Sequence, residues 1–296
     1  MITFIVNPAA GHGRALAAIP IVRKMMDTTG CTYTILETAA PGHAGELAKQ
    51  AAAHGAKIVV SVGGDGTVQE LATGLINTGA ALAVIPCGSG NDFIHSMNPQ
   101  RKLASGFEAR VVQFMTLLLK NTPEAIDAVR MNDKYFFNIG SIGIDAEIVV
   151  YSARLKKTFR GAAYLLATIK NTFTYKPKRA RITCDGRVIE KDISLCAVSN
   201  GAYYGGGFNI SPSADMADGE ITLCVADRLS RPMFGLLFPL VLFGAHTKLK
   251  QVEYINCKRV TIEYDDKQPV NLDGNIYKLL APLEFEIIPG GLKVIR

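Results

Sequence analysis

The chain lacks a long hydrophobic run, a signal-like N-terminus and a metal-binding pattern. Its longest apolar stretch, 233–245, has thirteen residues, whereas a helix that spans a bilayer needs about 20. Residues 1–8 show no basic start and no small-residue cleavage site, which predicts a first strand and a cytoplasmic protein. The five histidines and six cysteines show neither ligand spacing nor a CxxC pair, so we expect buried free thiols in a reducing compartment.

Composition narrows the class of partner. The chain has 296 residues, 48% of them hydrophobic, which is enough for two domains with full cores. A net charge of +6 suits an anionic partner such as a nucleotide or a membrane surface. No aromatic-rich ribonucleoprotein signature or metal-finger spacing is found, so we expect no nucleic-acid partner. The sequence leaves the oligomeric state open, a homodimer included.

Strand-like and helix-like segments alternate over the first 125 residues. This alternation predicts an α/β domain with a mostly parallel, Rossmann-like sheet that has helices on both faces. Ligands of such sheets sit beyond the carboxyl ends of the strands, and three polar loops fall there, at 7–14, 63–67 and 86–92. The predicted strands are 2–6, 33–36, 58–62 and 82–85, and the predicted helices are 14–27, 44–53 and 68–77.

The second part of the chain follows a different pattern. One long helix is predicted over 145–172, followed by short β-rich runs with turn signals. Asp185-Gly186 stands between two apolar runs, which is a strong hairpin signal. These patterns predict a first domain over 1–125 and a second, mainly antiparallel domain over 126–284. The sequence does not decide whether the tail 285–296 returns to the first domain.

The stretch 58–70 carries the most informative pattern. A β-branched strand ends in the glycine-rich loop 63–66, where little keeps the backbone away from a ligand. Thr67 and Glu70 have the spacing of a capping box, which predicts that a helix begins there. A helix N-terminus binds anions, and Asp65 beside a phosphate indicates a divalent cation between them. The pattern predicts a nucleotide-phosphate and Mg²⁺ site; the alternative is a sharp turn with an incidental acid.

Two other loops show small and polar residues after predicted strands. Asn7-Pro8-Ala9-Ala10-Gly11 follows the first strand and lacks the GxxxxGK[ST] pattern of a Walker A loop. The loop 86–93 follows the fourth strand and contains glycine, serine, asparagine and aspartate. Each loop alone also fits an ordinary turn, and their position beside 63–67 favours the binding site.

Four acids in the second part are candidates for chemistry. Asp215, Asp218 and Glu220 stand at i, i+3 and i+5, so their oxygens could converge on a hard cation. The alternative is a solvated acidic turn. Asp273 precedes a glycine between two predicted strands and is either a general base or a turn residue.

One-signed charge marks another segment. Residues 148–184 contain no acid and nine Lys or Arg. Such a run is either a solvated face or a surface that meets phosphate or anionic lipid. The apolar stretch 233–245, flanked by basic residues, is either a core helix or an interfacial one, and the missing amphipathic stripe favours the core.

Together these stretches resemble the diacylglycerol kinase catalytic-domain family of bacterial soluble lipid kinases, to which sphingosine and ceramide kinases are related. The resemblance covers nearly the whole chain. The matching residues are Asn7-Pro8 and Gly11, Gly63 to Thr67 and Glu70, Pro86 and Gly88 to Phe93, Ile126-Asp127, Asn138, Gly143, Asp145-Ala146, Gly161, Tyr164, Asn200, Gly205 to Gly207, Asp215, Asp218-Gly219 and Asp273-Gly274.

The resemblance implies an α/β nucleotide domain followed by a β-sandwich, with ATP and Mg²⁺ as cofactors and a lipid at a membrane surface, met transiently, as substrate. Asp65 would hold the catalytic Mg²⁺, in a network with Asp127 and basic groups such as Arg14, Lys157 or Arg160. Asp273 would take the proton of the lipid hydroxyl. A second, structural Mg²⁺ would use Asp218 and carbonyl oxygens near Asp215 and Glu220. ATP would contact Asn7, Pro8, Ala9, Ala10, Gly11, Thr38, Gly64, Asp65, Gly66, Thr67, Val68, Gln69, Glu70 and Ser89.

One position departs from the family pattern. The family reads Asp-Gly-Glu where this chain has Asn275 in third place, which keeps a hydrogen-bonding side chain and loses a charge. Phosphoryl transfer from MgATP to diacylglycerol, giving phosphatidic acid, is the function that the resemblance implies. Two alternatives stay open: a kinase for another hydroxyl compound, such as a sphingoid-like lipid or NAD, and a nucleotide-binding protein whose catalysis has decayed.

Overall fold

Two units make up the computed structural model, and each is described by itself. The first comprises residues 1–128 and 289–296, and the second comprises residues 129–288. The structure describes residues 1–159 and 163–296, and all of their side chains except those of 156–159, 163–165, 232 and 235–239. The predicted catalytic candidate Arg160 and the side chain of Lys157 therefore lie outside the described part.

The first unit is built on a parallel sheet, which confirms the predicted fold class. β1 pairs in parallel with β2 and β3, and β3 pairs in parallel with β4. Its elements are β1 (Ile2–Val6), α1 (Arg14–Asp27), β2 (Tyr33–Glu37), α2 (His43–Ala53), β3 (Ile58–Gly63), α3 (Asp65–Leu75), β4 (Ala81–Pro86), α4 (Asp92–Met97), α5 (Phe107–Lys120) and β5 (Glu124–Met131).

Strand burial follows strand position in this sheet. β1 and β4 are buried along their whole length, and β2 at the edge is partly exposed. A strand with helices on both faces needs apolar side chains on both faces, which explains the continuous β-branched and apolar runs. The carboxyl ends of β1, β2, β3 and β4 consequently meet at one edge of the sheet, where the three predicted loops begin.

The second unit is mainly antiparallel. β9 pairs in antiparallel fashion with β7, β8 and β12, and β15 pairs with β7 and β16. Its elements are β6 (Lys134–Phe136), β7 (Ile139–Gly143), α6 (Ile144–Phe159), α7 (Ala163–Thr174), β8 (Lys178–Cys184), β9 (Arg187–Ser199), β10 (Tyr203–Tyr204), β11 (Phe208–Asn209), β12 (Ile221–Asp227), α8 (Arg231–Leu242), β13 (Val252–Cys257), β14 (Arg259–Glu263), β15 (Gln268–Leu272), β16 (Asn275–Leu279) and β17 (Leu283–Val294).

The second half of β9 shows how this unit buries its core. Cys196 and Val198 belong to the cluster between strands, whereas Leu195 and Ala197 belong to a second cluster with residues of α6, α7 and α8. Alternate side chains of a strand point to opposite faces, so both faces of β9 are covered here. This double coverage explains why the run Ile193–Ser199 is buried throughout.

β17 pairs with strands of both units. Its first residues, Leu283 to Glu286, pair with β14 in the second unit. Its last residues, Lys293 and Val294, pair in parallel with Ala81 and Leu82 of β4 in the first unit. The tail of the chain thus supplies an additional strand to the parallel sheet.

Two sequence predictions about the second part meet different outcomes. The hairpin at Asp185-Gly186 is confirmed, since Cys184 pairs with Arg187 and the two turn residues have φ angles of 44° and 92°. The single helix over 145–172 is wrong. Two helices, α6 and α7, occupy this range and pack against each other, which one straight helix cannot do.

The apolar stretch 233–245 forms most of α8 and the turn after it. Phe234 and Val241 are buried in the cluster with α6 and α7, as the core interpretation predicts. Phe243, at the end of the helix, is 84% exposed. Within the described residues, no helix is long and apolar enough to cross a membrane.

The six cysteines are free thiols. Five of them are buried, and Cys31 is exposed. Buried thiols behave as small apolar side chains, so their scattered positions in strands and loops are explained by packing.

α2 and α3 lie unusually close together, and two glycines allow it. A Cβ on Gly74 would stand 2.3 Å from the carbonyl oxygen of Gly45. We expect Gly74→Ala to destabilise the protein by about 2 kcal/mol or more, because the neighbouring backbone has to move. Gly66→Ala in the same helix is the matched control. Its Cβ would meet nothing within 4 Å, so helix propensity predicts a gain of up to about 1 kcal/mol.

Urea denaturation of both variants measures the difference. Equal free energies of unfolding for Gly74→Ala and Gly66→Ala would contradict the close helix contact described here.

Candidate active site

A wide cleft lies at the carboxyl edge of the parallel sheet in the first unit. Its volume is about 820 Å³, which falls in the size range of ligand sites. It is lined by the three predicted loops and by the segment that follows β2. The lining residues are Asn7, Pro8, Ala9, Ala10, Gly11, His12, Arg14, Thr38, Ala39, Ala40, Pro41, Ala44, Gly64, Gly66, Thr67, Glu70, Gly88 and Ser89.

Three helix N-termini open into this cleft. The N-cap residues of α1, α2 and α3 are Gly13, Gly42 and Gly64, and none of them provides a side-chain cap hydrogen bond. The first N–H groups of a helix have no partner within the helix and carry partial positive charge. Arg14, the first residue of α1, adds a full positive charge at the lining. The cleft is therefore suited to a polyanion.

Glycine allows the three loops to touch each other. A Cβ on Gly11 would stand 2.0 Å from the carbonyl oxygen of Cys87, and a Cβ on Gly88 would stand 2.8 Å from the Cα of Gly64. Real Cβ atoms do not come this close to backbone, so a larger residue at either position would separate the loops. The floor of the cleft is thus backbone packed on backbone, which leaves peptide groups near any ligand.

Asn7 connects the first loop to α3. Its Nδ2 donates to Thr67 Oγ1 at 2.9 Å, and its Oδ1 accepts from the N–H of Ala9 at 3.1 Å. Both side-chain atoms are therefore used in shaping the loop. Asn7 and Thr67, both predicted to contact ATP, line the cleft, and their hydrogen bond also holds its wall.

The predicted capping box is wrong. α3 begins at Asp65, two residues before Thr67, so Thr67 lies inside the first turn and accepts from Asn7. Glu70 Oε2 accepts from the N–H of Ala44, at the start of α2, at 3.2 Å. Glu70 therefore caps α2 and not its own helix. The capping-box spacing gave a wrong prediction because it describes only contacts within one helix.

Asp65 lies at the N-terminus of α3 and is half-buried. Its Oδ2 accepts from the N–H of Asn91 at 2.8 Å, while Asn91 in turn bonds Gly88 through both side-chain atoms at 3.1 Å. The carboxylate thus joins the second loop to the third. It does not belong to the lining of the cleft, although its neighbours Gly64 and Gly66 do.

Most of the predicted nucleotide-contacting residues line the cleft. The exceptions are Asp65, Val68 and Gln69; Val68 is buried in the core, and Gln69 bonds to Thr73. Sequence reasoning missed the segment 39–44, which also lines the cleft. A proline and a glycine before α2, at the carboxyl end of a strand, were the available signal.

Two buried side chains of the first unit, the Cys87 thiol and the Asp127 carboxylate, have structural explanations. Burial raises the pKa of the Cys87 thiol to about 12, so this thiol is neutral and is not a nucleophile at physiological pH. Asp127, proposed as a partner of Asp65, is buried and accepts from the N–H of Gly290 at 2.7 Å. It fixes the returning segment 289–296 to the first unit.

In the second unit, Asp273 is the predicted catalytic residue, and its carboxylate accepts several backbone hydrogen bonds. It lies in the turn between β15 and β16 with a φ of 47°. Its carboxylate accepts from the N–H groups of Phe137, Asn138 and Ile139 at 2.7, 3.0 and 2.9 Å. These bonds fix the direction of the carboxylate, which is what a positioned base requires and also what a structural turn provides.

Asp185 has the same local architecture in the other Asp-Gly hairpin. Its φ is 44°, and its carboxylate accepts from the N–H groups of Lys258 and Arg259 at 2.8 and 2.9 Å. The two aspartates are therefore alike in backbone conformation and in hydrogen bonding. Geometry of the turn alone does not assign a catalytic role to Asp273.

Asn138 and Asn200 come together beside Asp273. The N–H groups of Asn200 and Gly201 both donate to the carbonyl of Asn138 at 2.9 Å. Asn200 Nδ2 donates to the carbonyl of Phe137 at 2.7 Å. These bonds hold the start of β7 in the position that aims its N–H groups at Asp273.

A buried acid lies beside a small apolar cavity in the second unit. The cavity, of about 70 Å³, is lined by Asp145 together with apolar residues of α6, α8 and β9 and with threonines of α7. Burial raises the pKa of Asp145 to about 6, although hydrogen bonds from Ser141, Ala146 and Asn271 oppose the shift. Asp145 is therefore an acid whose charge changes close to neutral pH.

The predicted structural metal site shows ordinary turn bonding. Asp215 Oδ1 accepts from the N–H of Ala217, and Asp218 Oδ1 accepts from the N–H of Glu220, both at 3.0 Å. Across the described residues, no group of three or more His, Cys, Asp or Glu is placed to hold a metal ion. In the described part of the chain, the carboxylates of Asp215 and Asp218 therefore take part in turns and not in a metal cluster.

Comparisons with known proteins agree with this geometry. The diacylglycerol kinase catalytic domain model matches residues 1–131, and the YegS C-terminal NAD kinase beta sandwich-like domain model matches residues 138–296. "Diacylglycerol kinase" of Mycobacterium tuberculosis is 29% identical over 301 residues, covering 100% of this chain and 94% of the relative. "Probable lipid kinase YegS-like" of Chromohalobacter salexigens is 30% identical over 235 residues, covering 77% of this chain and 72% of the relative.

The fold also matches solved structures. A structure from Bacillus anthracis str. Sterne aligns with a TM-score of 0.82 at 25% identity, covering 99% of this chain and 94% of the other. The match of the beta sandwich-like domain model to residues 138–296 agrees with the β-sandwich that the resemblance implied.

The raised pKa of Asp145 predicts a pH-dependent stability cost. Folding favours the protonated form, so the cost is absent below about pH 4 and complete above about pH 6, where it amounts to about 3 kcal/mol. Asp145→Asn removes the charge and keeps an oxygen for Ser141. We expect its stability relative to the native protein to rise as pH increases through this window.

Denaturation of both proteins at a series of pH values measures this difference. A stability difference that stays constant from about pH 4 to pH 7 would contradict the raised pKa.

Proposed function

The chain belongs to the diacylglycerol kinase and YegS-like lipid kinase family, and we propose that it transfers the γ-phosphate of ATP to the hydroxyl of diacylglycerol. Membership makes it a lipid kinase of this family and a phosphotransferase. The choice of diacylglycerol rests on relatives that carry this name at 25–29% identity. The product would be phosphatidic acid.

The cleft, with the first turns of three helices at its lining, is the observation that carries the proposal. A triphosphate brings several negative charges into one small volume, and N–H groups at helix starts bind such charges without a change of structure. Arg14 of α1, Ala44 of α2 and Gly66 of α3, each in the first turn of its helix, belong to the lining, and Glu70 already accepts from the N–H of Ala44. Positioning and charge neutralisation provide most of the catalysis in phosphoryl transfer.

Asp65, which lies between the lining residues Gly64 and Gly66 without itself lining the cleft, is the residue that would hold a Mg²⁺ here. Mg²⁺ commonly uses one or two carboxylates together with phosphate oxygens and water, so a lone aspartate beside a phosphate site fits its needs. When bound, the ion would neutralise charge on the transferred phosphoryl group. Asp65 keeps Oδ1 for this role while Oδ2 accepts from Asn91.

Asp273 would accept the proton of the lipid hydroxyl. In a loose transition state the proton leaves late, so the base mainly needs to orient the hydroxyl. The three N–H donors from β7 and the residues before it hold its carboxylate in one direction. Asn275, the first residue of β16, lies two residues further on and would tune this site without a charge.

Another lipid hydroxyl is the second candidate acceptor. A relative at 30% identity is named only as YegS-like, without a stated lipid. Asn275 in place of the family glutamate gives a specific reason for a different preference. Labelled ATP with a total lipid extract, followed by identification of the labelled lipid, separates diacylglycerol from other acceptors.

We expect Asp273→Asn to lower lipid phosphorylation by about 100-fold or more, the range typical for loss of a general base. Asp185→Asn is the matched control, because this residue has the same turn conformation and similar backbone bonds. Both variants lose similar stability, about 1–3 kcal/mol, through weaker hydrogen bonds. Turnover with MgATP and dispersed diacylglycerol, together with a melting curve, measures both effects.

The comparison of the two variants decides the role of Asp273. Equal activity in the two variants would contradict a catalytic role and leave Asp273 as a turn residue.

Asp65→Asn tests the metal role. Asparagine Oδ1 still accepts from Asn91, so we expect the fold to stay intact while turnover and Mg²⁺ dependence are lost. Native turnover in this variant would exclude Asp65 as the ligand.

A further inference from the structure

α7 exposes large apolar side chains on its outer side, whereas an ordinary surface helix buries them. Leu166, Ile169 and Phe173 are 37%, 48% and 61% exposed, whereas Ala167 and Asn171 are buried. Residues three and four positions apart lie on one side of a helix, so the three large apolar side chains form one outward stripe. A soluble helix normally turns such a stripe toward its core, which indicates that something outside this unit covers it.

The end of α8 adds exposed apolar side chains in the same region of the unit. Leu242 is 42% exposed and Phe243 is 84% exposed. The residue before them, Val241, lines the small apolar cavity together with Thr168 and Thr172 of α7. We call Leu166, Ile169, Phe173, Leu242 and Phe243 the α7–α8 face.

Charge in these segments has a single sign. None of the acids in the chain falls within 148–184 or 228–252, the two segments that carry the α7–α8 face. Besides Arg179 and Arg181, the exposed basic residues described there are Arg154, Lys170, Lys176, Arg228, Arg231, Lys248 and Lys250. Basic residues around exposed apolar side chains are complementary to an anionic surface with an apolar interior.

Two exposed basic residues in the first of these segments lie away from the α7–α8 face and are paired with an acid. Arg179 and Arg181 at the start of β8 form ion pairs with Glu190. Lys170, by contrast, lies over the ring of Tyr151, with Nζ 3.5 Å from the ring centroid. The ion-paired arginines therefore belong to the surface of the sheet. Lys170 lies beside the α7–α8 face, against an aromatic ring of α6.

We propose that the α7–α8 face docks the second unit onto an anionic lipid bilayer. The proposal rests on the proposed function, since a lipid kinase has to reach its substrate in a membrane. A second copy of this chain is a poorer occupant, because pairing two such faces would bring like charges together. Leu166, Ile169, Phe173 and Phe243 would enter the acyl boundary, and the basic residues would meet the headgroups.

Phe173→Glu tests the apolar part of the face. Leu280→Glu is the matched control, because Leu280 is also 61% exposed and lies in the same unit, between β16 and β17. Full burial of a phenylalanine is worth about 1.5–3 kcal/mol, so we expect Phe173→Glu to weaken vesicle binding about tenfold or more. We expect Leu280→Glu to bind like the native protein.

The binding measurement uses the full-length protein without ATP. Vesicles of phosphatidylcholine and phosphatidylglycerol in equal parts are sedimented with each variant, and bound protein is quantified. Melting curves check that both variants are folded, which is expected for exposed positions. Native binding by Phe173→Glu, or an equal loss in Leu280→Glu, would overturn the proposal.

Lys176→Glu tests the charge, with Lys278→Glu, at an exposed residue of β16, as its control. A basic residue near an anionic surface contributes about 1 kcal/mol, so the reversal in Lys176→Glu should weaken binding about tenfold or more. Pure phosphatidylcholine vesicles should bind the native protein less, and salt should reduce binding to the anionic vesicles. Binding that ignores lipid charge and salt would refute the electrostatic part.

Activity assays separate this proposal from the proposed function. Short-chain diacylglycerol dispersed in detergent needs no membrane docking, so Phe173→Glu should keep native turnover on it and lose turnover on vesicles. If the native protein binds vesicles but phosphorylates no lipid, the proposed function fails and the docking face stands. If Phe173→Glu converts a dimer to a monomer with unchanged vesicle binding, the face joins two copies and the proposal is wrong.

Discussion

The contact between Gly64 and Gly88 is the constraint on which the cleft of the first unit depends. Where β3 and β4 end, their loops come so close that a single Cβ on Gly88 would be 2.8 Å from backbone. Because of this contact, Asp65 reaches the N–H of Asn91 across 26 positions of sequence. Gly11 against Cys87 adds the first loop to the same packed floor. The edge of the cleft is thus polar because glycines have no side chains there, so that peptide groups are exposed where side chains would otherwise stand.

Asp185 and Asp273 show how far local structure can specify function. Each stands first in an Asp-Gly turn, each has a left-handed backbone, and each accepts backbone N–H bonds from a neighbouring connection. The difference lies in what surrounds them. Asp185 bonds to the residues that join β13 and β14, at an exposed hairpin. Asp273 bonds to the residues before β7, next to Asn138 and Asn200.

The fold and much of the site could be predicted because their signals are local. A β-branched run followed by glycines fixes the end of β3, and the alternation of elements fixes the parallel sheet. Glu70 could not be placed, since its partner is the N–H of Ala44 on another helix. The segment 39–44 was missed because it lines the cleft mostly with alanine and backbone. The packing of α6 against α7 was missed because it joins residues far apart in sequence, and helical periodicity does not contain such contacts.

The last strand of the parallel sheet has a consequence for biosynthesis. Lys293 and Val294 pair beside β4, yet more than half of the chain separates them from it in sequence. A ribosome that has made residues 1–128 has therefore made a sheet whose β4 edge is still open. Unpaired edges attract other strands, and proteins with several units tend to fold in order of synthesis. In the nascent first unit, the edge of β4 would stay unpaired until the whole second unit had been synthesised. A chaperone or rapid elongation would protect this edge from aggregation at that stage.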